Sequence, residues 1–260
     1  MSGVPDRAQL VHDLQATLGV DQPHANKIVE AFDDYVAKPL QANLKKLTGR
    51  DLAKRNPMIY TSRGVTSVED WVDGVLADKE TSAIEAHLGT WMEEVARIVS
   101  GGFKPGSGVD LQRDRPNDAQ TVELYAIQSA PNTKNAGGRR SDVNALRAAA
   151  AVLRASRRRV EMNIAVLSGR NRSSPLAADP NITVLASDEF WEKVSGVADF
   201  RARLIRSTSI LSALITGRVA DEVLRIKREA ALLFGDSSGN LDLEKLASPP
   251  KPTRRRTTPT

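Results

Sequence analysis

Between Gly101 and Ser129 the apolar pattern of the chain changes its period. Upstream, Ile84, Leu88, Trp91, Val95 and Ile98 recur at helical intervals. Downstream, Val122, Leu124, Ala126 and Gln128 alternate with Glu123, Tyr125, Ile127 and Ser129. The first spacing lays a stripe along a helix, whereas strict alternation sends successive side chains to opposite faces of a strand. A chain holding both must build a sheet and cover it with helices. The change falls at Gly101-Gly102, where glycine can end the helix by entering left-handed backbone at low cost.

The flanking segments are read in the same way. Residues 1–55 form an N-terminal helical region: Ile28, Phe32 and Tyr35 keep helical spacing, Pro39 should break or kink the run, and Leu40, Leu44 and Leu47 resume it. Asn56-Pro57 marks a boundary. A helix follows from Ser67, with Asp70 at capping-box spacing and Val68, Trp71, Val72 and Val75 as its buried face, and a second covers 82–99. Next come a short strand over 108–112, a polar turn over 113–120, the alternating strand 121–129 and a loop over 130–140. Ser141-Asp142 can start a helix carrying Val143, Leu146, Ala150 and Leu153; strands are expected over 160–167 and 182–185. The stripe Val219, Val223, Ile226, Ala230 and Leu233 returns the chain to helix. The main domain is expected over 56–235, and the basic, Pro-rich tail 248–260 has no apolar anchor and is expected to be disordered. The class is α/β, a core wrapped in N- and C-terminal helical additions.

Composition narrows the chemistry. The absence of cysteine excludes disulfides and thiolate metal sites, and His12, His24 and His87 are too scattered for a zinc site, so any metal would need oxygen ligands. No apolar run approaches the ~20 residues of a membrane span, and Met1 to Asp6 does not open a secretory signal, so a cytoplasmic protein is expected. The net charge of +5 suits a polyanion, and arginine clusters at Arg139-Arg140, Arg154, Arg157-Arg158-Arg159 and Arg170/Arg172.

Phosphodiester hydrolysis with a hard cation needs one or two carboxylates, the remaining ligands coming from phosphate and water. Asp110 follows a Gly/Pro-rich approach and is the first candidate; Gln128, a polar terminus on an otherwise apolar strand face, is the second. At ~100° per residue, Glu93 falls opposite the stripe of the preceding helix and should face solvent. Glu94 lies at the flank of that stripe, from which it can reach over the sheet.

The stretch 88–170 resembles Type II restriction endonucleases of the PD-(D/E)xK superfamily, more narrowly a PmeII-like group. The resemblance is carried by Leu88-Gly89-Thr90-Trp91-Met92-Glu93-Glu94-Val95-Ala96, by Ser107-Gly108-Val109-Asp110-Leu111-Gln112, and by Leu124-Tyr125-Ala126-Ile127-Gln128-Ser129-Ala130-Pro131-Asn132-Thr133-Lys134-Asn135-Ala136-Gly137-Gly138. Asp188-Glu189-Phe190-Trp191-Glu192-Lys193-Val194-Ser195-Gly196 looks like a Phe-Trp helix found late in many such enzymes, so the likeness spans about 56 to 235. It implies a restriction-endonuclease-like core, a mixed sheet flanked by helices, that cuts duplex DNA at a short specific sequence with Mg²⁺. It further implies a homodimer and a cognate DNA methyltransferase in a restriction-modification system. Asp110 would be the metal-binding aspartate and Ala126-Ile127-Gln128 the (D/E)xK element, with Ala126 in the acid's place and Gln128 in the lysine's. The missing acid would come from Asp142 or Glu94; Glu123, on the wrong face by parity, ranks behind both. Lys134 could supply the positive charge or hold a phosphate, and Asn135, Arg139, Arg140, Arg157, Arg158 and Arg159 would hold DNA. The departures at Ala126 and Gln128 also suit a DNA-binding protein that has kept a nuclease core and lost catalysis.

Overall fold

The computed structural model describes residues 6–106, 108–130 and 134–248. These divide into two compact units, one of residues 37–85 with 215–248, the other of residues 6–36 with 86–214. Along the described residues the helices are α1 (Arg7–Leu18), α2 (Gln22–Phe32), α3 (Lys38–Lys46), the short α4 (Gly49–Leu52) and α5 (Met58–Thr61), α6 (Val68–Ser100), α7 (Ala136–Ala155), α8 (Ser187–Ser195), α9 (Phe200–Phe234) and α10 (Leu243–Ala247). The strands are β1 (Leu111–Arg115), β2 (Asp118–Gln128), β3 (Arg159–Val166), β4 (Ser174–Leu176) and β5 (Asp179–Leu185). Helices α6 and α9 each contribute residues to both units.

The unit containing residues 86–214 holds a mixed sheet in the order β1-β2-β3-β5-β4, the three inner strands parallel and both edge strands antiparallel to their neighbours. Helices flank it, as expected for the α/β class. From Thr121 to Gln128 every residue of β2 is buried, so neither face of the alternation meets water. On one face Val122, Leu124 and Ala126 join Leu146, Ala150, Met162, Ile164 and Ile182 in an apolar core covered by α7. On the other, Tyr125 meets the edge of Phe190 at 5.6 Å, and Phe190, Trp191 and Phe200 continue the aromatic packing. In the same unit Trp91 lies edge-on to Phe32 at 5.2 Å and donates from Nε1 to the Ile28 carbonyl at 3.4 Å.

The β1–β2 hairpin differs from the expected strand 108–112 and turn 113–120. The strand begins at Leu111, the chain reverses at Pro116-Asn117, and β2 starts at Asp118. Asn117 takes φ 62°, a left-handed value that asparagine tolerates better than most residues. Hydropathy missed this because the inward side chains are charged. Glu123 is only 1 % exposed and accepts hydrogen bonds from Arg113 Nε at 2.7 Å and the Tyr125 hydroxyl at 2.6 Å, with Lys193 Nζ at 3.2 Å. Arg113 also donates to the carbonyls of Lys193 and Val194 at 2.8 and 3.3 Å, placing a cation at the carboxyl end of α8, where the helix dipole favours one.

Other boundaries moved for local reasons. The helices expected from 67 and over 82–99 are one continuous α6, since nothing between them stops a helix. Ser67 caps it as expected, its Oγ accepting from the Asp70 N–H at 3.0 Å. Ahead of Pro39 the run passes through a π-helical turn, Asp33–Ala37, and the proline falls in the first turn of α3, where a missing N–H costs nothing. Helix α7 starts before the expected Ser141, because Asn135 Oδ1 accepts from the Gly138 N–H at 2.9 Å and caps it there. Strand β4 carried no signal in the sequence. The tail 249–260 lies outside the described residues.

In the other unit, Val68, Trp71, Val72 and Val75 are buried with Ile226, Ala230 and Phe234, and Trp71 meets Phe234 edge-on at 5.5 Å. A Cβ on Gly49 would lie 2.9 Å from the Ala230 backbone nitrogen, so only glycine allows this approach to α9. Arg225 of α9 donates to the Leu44 and Leu47 carbonyls at 3.1 and 2.9 Å, satisfying the end of α3.

The Glu123 cluster makes a testable contribution to stability. Burial pushes its carboxyl pKa up, but the Tyr125 hydroxyl and the Arg113 charge outweigh it and hold the group below its usual value. A depressed folded pKa stabilises the fold above the unfolded value, ~4.3, and that contribution is lost as pH falls through the folded one. Glu123→Ala strands a buried arginine and is expected to cost ~3–5 kcal/mol in urea unfolding at neutral pH. Glu123→Gln should flatten the acid decline of stability; a decline as steep as in the parent protein would refute the assignment.

Candidate active site

Asp110 sits just before β1, where the hairpin ladder ends. Its N–H donates to the Tyr125 carbonyl at 3.0 Å, and its Oδ2 accepts from the Ile127 N–H at 2.8 Å. The side chain thus completes the ladder and is pinned beside the carboxyl end of β2. Its other oxygen faces Lys104 Nζ at 3.6 Å, and 18 % of the side chain remains exposed.

Gln128 ends β2 on the face that α7 covers. Its Nε2 donates to Asp142 Oδ2 at 3.1 Å, and Lys134 Nζ donates to both oxygens of that carboxylate at 2.7 and 2.8 Å. Asp142 is buried, so three of the expected site residues meet here in one hydrogen-bonded group. Ala126, two residues earlier on the same face, packs into the apolar core.

Both glutamates of α6 are partly buried. Glu94 is ion-paired with Arg97 on its own helix. Glu93, expected in solvent, is half-buried: burial first and the charge of Asp110 second push its carboxyl pKa up, while Lys104, Arg97 and Lys134 pull it down. Glu93 therefore belongs to the electrostatic group around Asp110. Ile84, Leu88 and Ile98 are only partly buried, while Trp91, Val95 and Ala96 are fully so, so the buried face of α6 does not follow the apolar stripe along its whole length. Glu123 lies across the sheet in its own cluster, as parity required. Among the described residues no three His, Cys, Asp or Glu side chains assemble as a ready-made metal cage.

The basic residues separate into two places. Lys134, Asn135, Arg139 and Arg140 lie at the start of α7 and line a cleft of about 630 Å³. Arg158 and Arg159 are held by Asp114 and Asp118 at 2.5 and 2.9 Å, at the other end of the sheet. Arg159 pairs in register with Thr121, and from there to Gln128 the strand rises roughly 23 Å at ~3.3 Å per residue. The triplet Arg157–Arg159 is thus not brought to the carboxylates. Arg170 belongs to the arginine clustering read from the sequence, but nothing there places it beside Gln128. It lines a cavity of about 150 Å³ with Gln128 and Arg139; one guanidinium nitrogen donates to Ser174 Oγ at 2.8 Å, while Nε is buried with no partner among the described residues. Lys104 is a residue that sequence reasoning did not single out, its only signal being its place in the Gly/Pro-rich approach to Asp110.

A family model for Type II restriction endonuclease EcoO109I matches residues 24–212, well over half of the chain. The chain belongs to that family. By membership it is a Type II restriction endonuclease, a hydrolase that cleaves duplex DNA. The match takes in Glu93, Asp110, Gln128, Lys134 and Asp142, and so covers the whole carboxylate group of this restriction endonuclease. No individual curated protein matches the chain. No helix among the described residues is long and apolar enough to cross a membrane.

The position of Glu93 can be checked without DNA. A carboxyl whose folded pKa is raised costs stability once pH exceeds the unfolded value, and the full cost is present above the folded one. In EDTA at pH 7, Glu93→Gln is expected to unfold at a higher temperature than the parent endonuclease. The difference should close below ~pH 4, where the unfolded carboxyl is protonated as well. An equal difference at both pH values would remove Glu93 from the group around Asp110.

Proposed function

We propose that this restriction endonuclease is of the PD-(D/E)xK type, close to the PmeII-like group, and cuts a short specific duplex sequence with Mg²⁺. The observation that carries this reading is Asp142. From α7 it supplies a carboxylate to Gln128, on the face where Ala126 offers none, next to the strand end that fixes Asp110.

The donor set suits a hard cation. Asp110 keeps one oxygen free of backbone hydrogen bonds, and the half-buried Glu93 adds negative charge beside it. Mg²⁺ commonly uses one or two carboxylates and takes its other ligands from phosphate and water, so a full protein cage is not needed. Asp110 with Glu93 or Asp142 would hold it; Glu94, paired with Arg97, is the weaker choice. When bound, the ion lowers the pKa of a water and stabilises charge on the leaving oxygen. Gln128 orients the water through its amide and, being neutral, is not a general base. Lys134 neutralises Asp142 and lies where a phosphate oxygen could take its place as partner. Asn135 and Arg139 hold the DNA near the cut, and Arg140 contacts it from the same helix.

Duplex cleavage needs two strand cuts, so a two-fold symmetric homodimer in the cytoplasm is the expected form. A cell carrying such an enzyme must protect its own sites, hence a methyltransferase of the same specificity. A second reading has one specific observation in its favour. Asp142 is fully engaged by Lys134 and Gln128, as would suit a DNA-binding protein that had given up catalysis.

Incubation of the purified protein with phage DNA in Mg²⁺ or EDTA separates the two. Discrete bands in Mg²⁺ alone support the enzyme; sequence-specific binding without cuts supports the second reading. Asp110→Asn is expected to fold normally and cut roughly a thousandfold more slowly, as loss of several kcal/mol of charge stabilisation requires. Asp142→Ala and Glu93→Gln should also impair cutting and Glu94→Ala should not; an unimpaired Asp110→Asn would mean that the site is misplaced.

A further inference from the structure

Helix α7 turns one face to the catalytic group and another away from it. Asp142 points inward to Gln128 and Lys134. Arg140 and Asn144, two residues to either side of it, lie about half a turn round the helix and one turn from each other. Both are exposed, and their side chains make no hydrogen bond or ion pair with the described residues. Arg147, the next position on that face, is by contrast held by Asp179 at 2.9 Å. All three line the cleft of about 630 Å³, whose opposite wall is the β4–β5 turn with Ala177 and Ala178 exposed. On the helix side Lys134 and Arg147 are paired with Asp142 and Asp179, while Arg140 has no such partner among the described residues and adds positive charge to a cleft that no carboxylate among them lines.

That charge fits a polyanion, but a surface that only gripped phosphates would need cations alone. The side chains here match base edges as well. A guanidinium fork fits guanine O6 and N7, a carboxamide fits adenine N6 and N7, and an alanine methyl packs on the thymine methyl. An α-helix also fits the B-DNA major groove, ~12 Å wide.

We infer that Arg140 and Asn144 read base edges in the major groove, with Ala177 and Ala178 contacting the same groove from the β4–β5 turn. Arg147 is a positioning residue that fastens this turn to α7 through Asp179. The inference rests on duplex DNA being the ligand and assigns sequence discrimination to a face separate from the metal-binding carboxylates.

The test is selection of bound sequences from a random duplex library in EDTA, so that cleavage plays no part. The parent protein should enrich one sequence. Arg140→Ala and Asn144→Ala should each relax it at a defined position of the half-site, with discrimination there falling roughly 5- to 150-fold. Arg140→Lys keeps the charge and loses the fork, so it should relax the same position with an unchanged salt dependence. It also serves if the alanine variant fails to fold. Unchanged preference in these variants overturns the inference. So does uniformly weaker binding with a shallower salt slope, the mark of a phosphate contact. A parent protein that selects a sequence but cuts nothing counts against the catalytic reading alone; one that selects no sequence overturns the base-reading inference.

Discussion

Just before β1 begins, the Ile127 N–H of β2 donates to the Asp110 carboxylate rather than to a backbone carbonyl. A buried donor left without a partner costs ~1–3 kcal/mol, so the hairpin depends on that oxygen. The same bond aims the second oxygen of Asp110 at the end of β2, toward Lys104. The fold therefore constrains the position of this carboxylate. Asparagine can still accept the Ile127 bond through its amide oxygen while losing the charge, whereas alanine loses both.

Strand β2 carries this arrangement to the helices. It is paired on both edges and buried on both faces, so the direction of each side chain from Thr121 to Gln128 is determined by parity. One parity holds the structural charge, Glu123, locked by Arg113 and Lys193 beneath α8. The other runs apolar through Val122, Leu124 and Ala126 and turns polar at Gln128. A carboxylate at position 126 would sit among Leu146, Ala150 and Ile164. Asp142 reaches Gln128 from the helix above and avoids burying an acid in that apolar layer.

The alternation of β2 and the helical spacing within α6 were legible because they are local. Periodicity reports which side of an element is buried, and parity alone separated Glu123 from Gln128 correctly. The errors arose where burial was charged or came from distant chain. Arg113 and Arg115 read as turn because their partners, Glu123 and α8, are brought to them only by the fold. Composition marks Arg157–Arg159 as a DNA grip but cannot tell that the parallel register with β2 sets it at the far end of the sheet from the carboxylates. Glu93 was misassigned for a related reason: a long helix need not keep one buried face along its whole length. The partnership of Lys134 with Asp142 spans the capped start of α7, and Asn135, which makes that cap, is visible in the sequence only once the helix is known to begin there.

The charges at the site nearly balance without a cation. Lys134 faces Asp142, Lys104 faces Asp110, and Glu93 carries the excess; its pKa is raised by burial first and by the charge of Asp110 second. Such a group is poised between two pairings. In the protein alone the lysines face the carboxylates. The proposed function would have phosphate oxygens compete for those same lysines, so that DNA and a cation would draw on one set of side chains at the end of β2. A lone carboxylate at position 126, with no lysine opposite, could not provide that linkage.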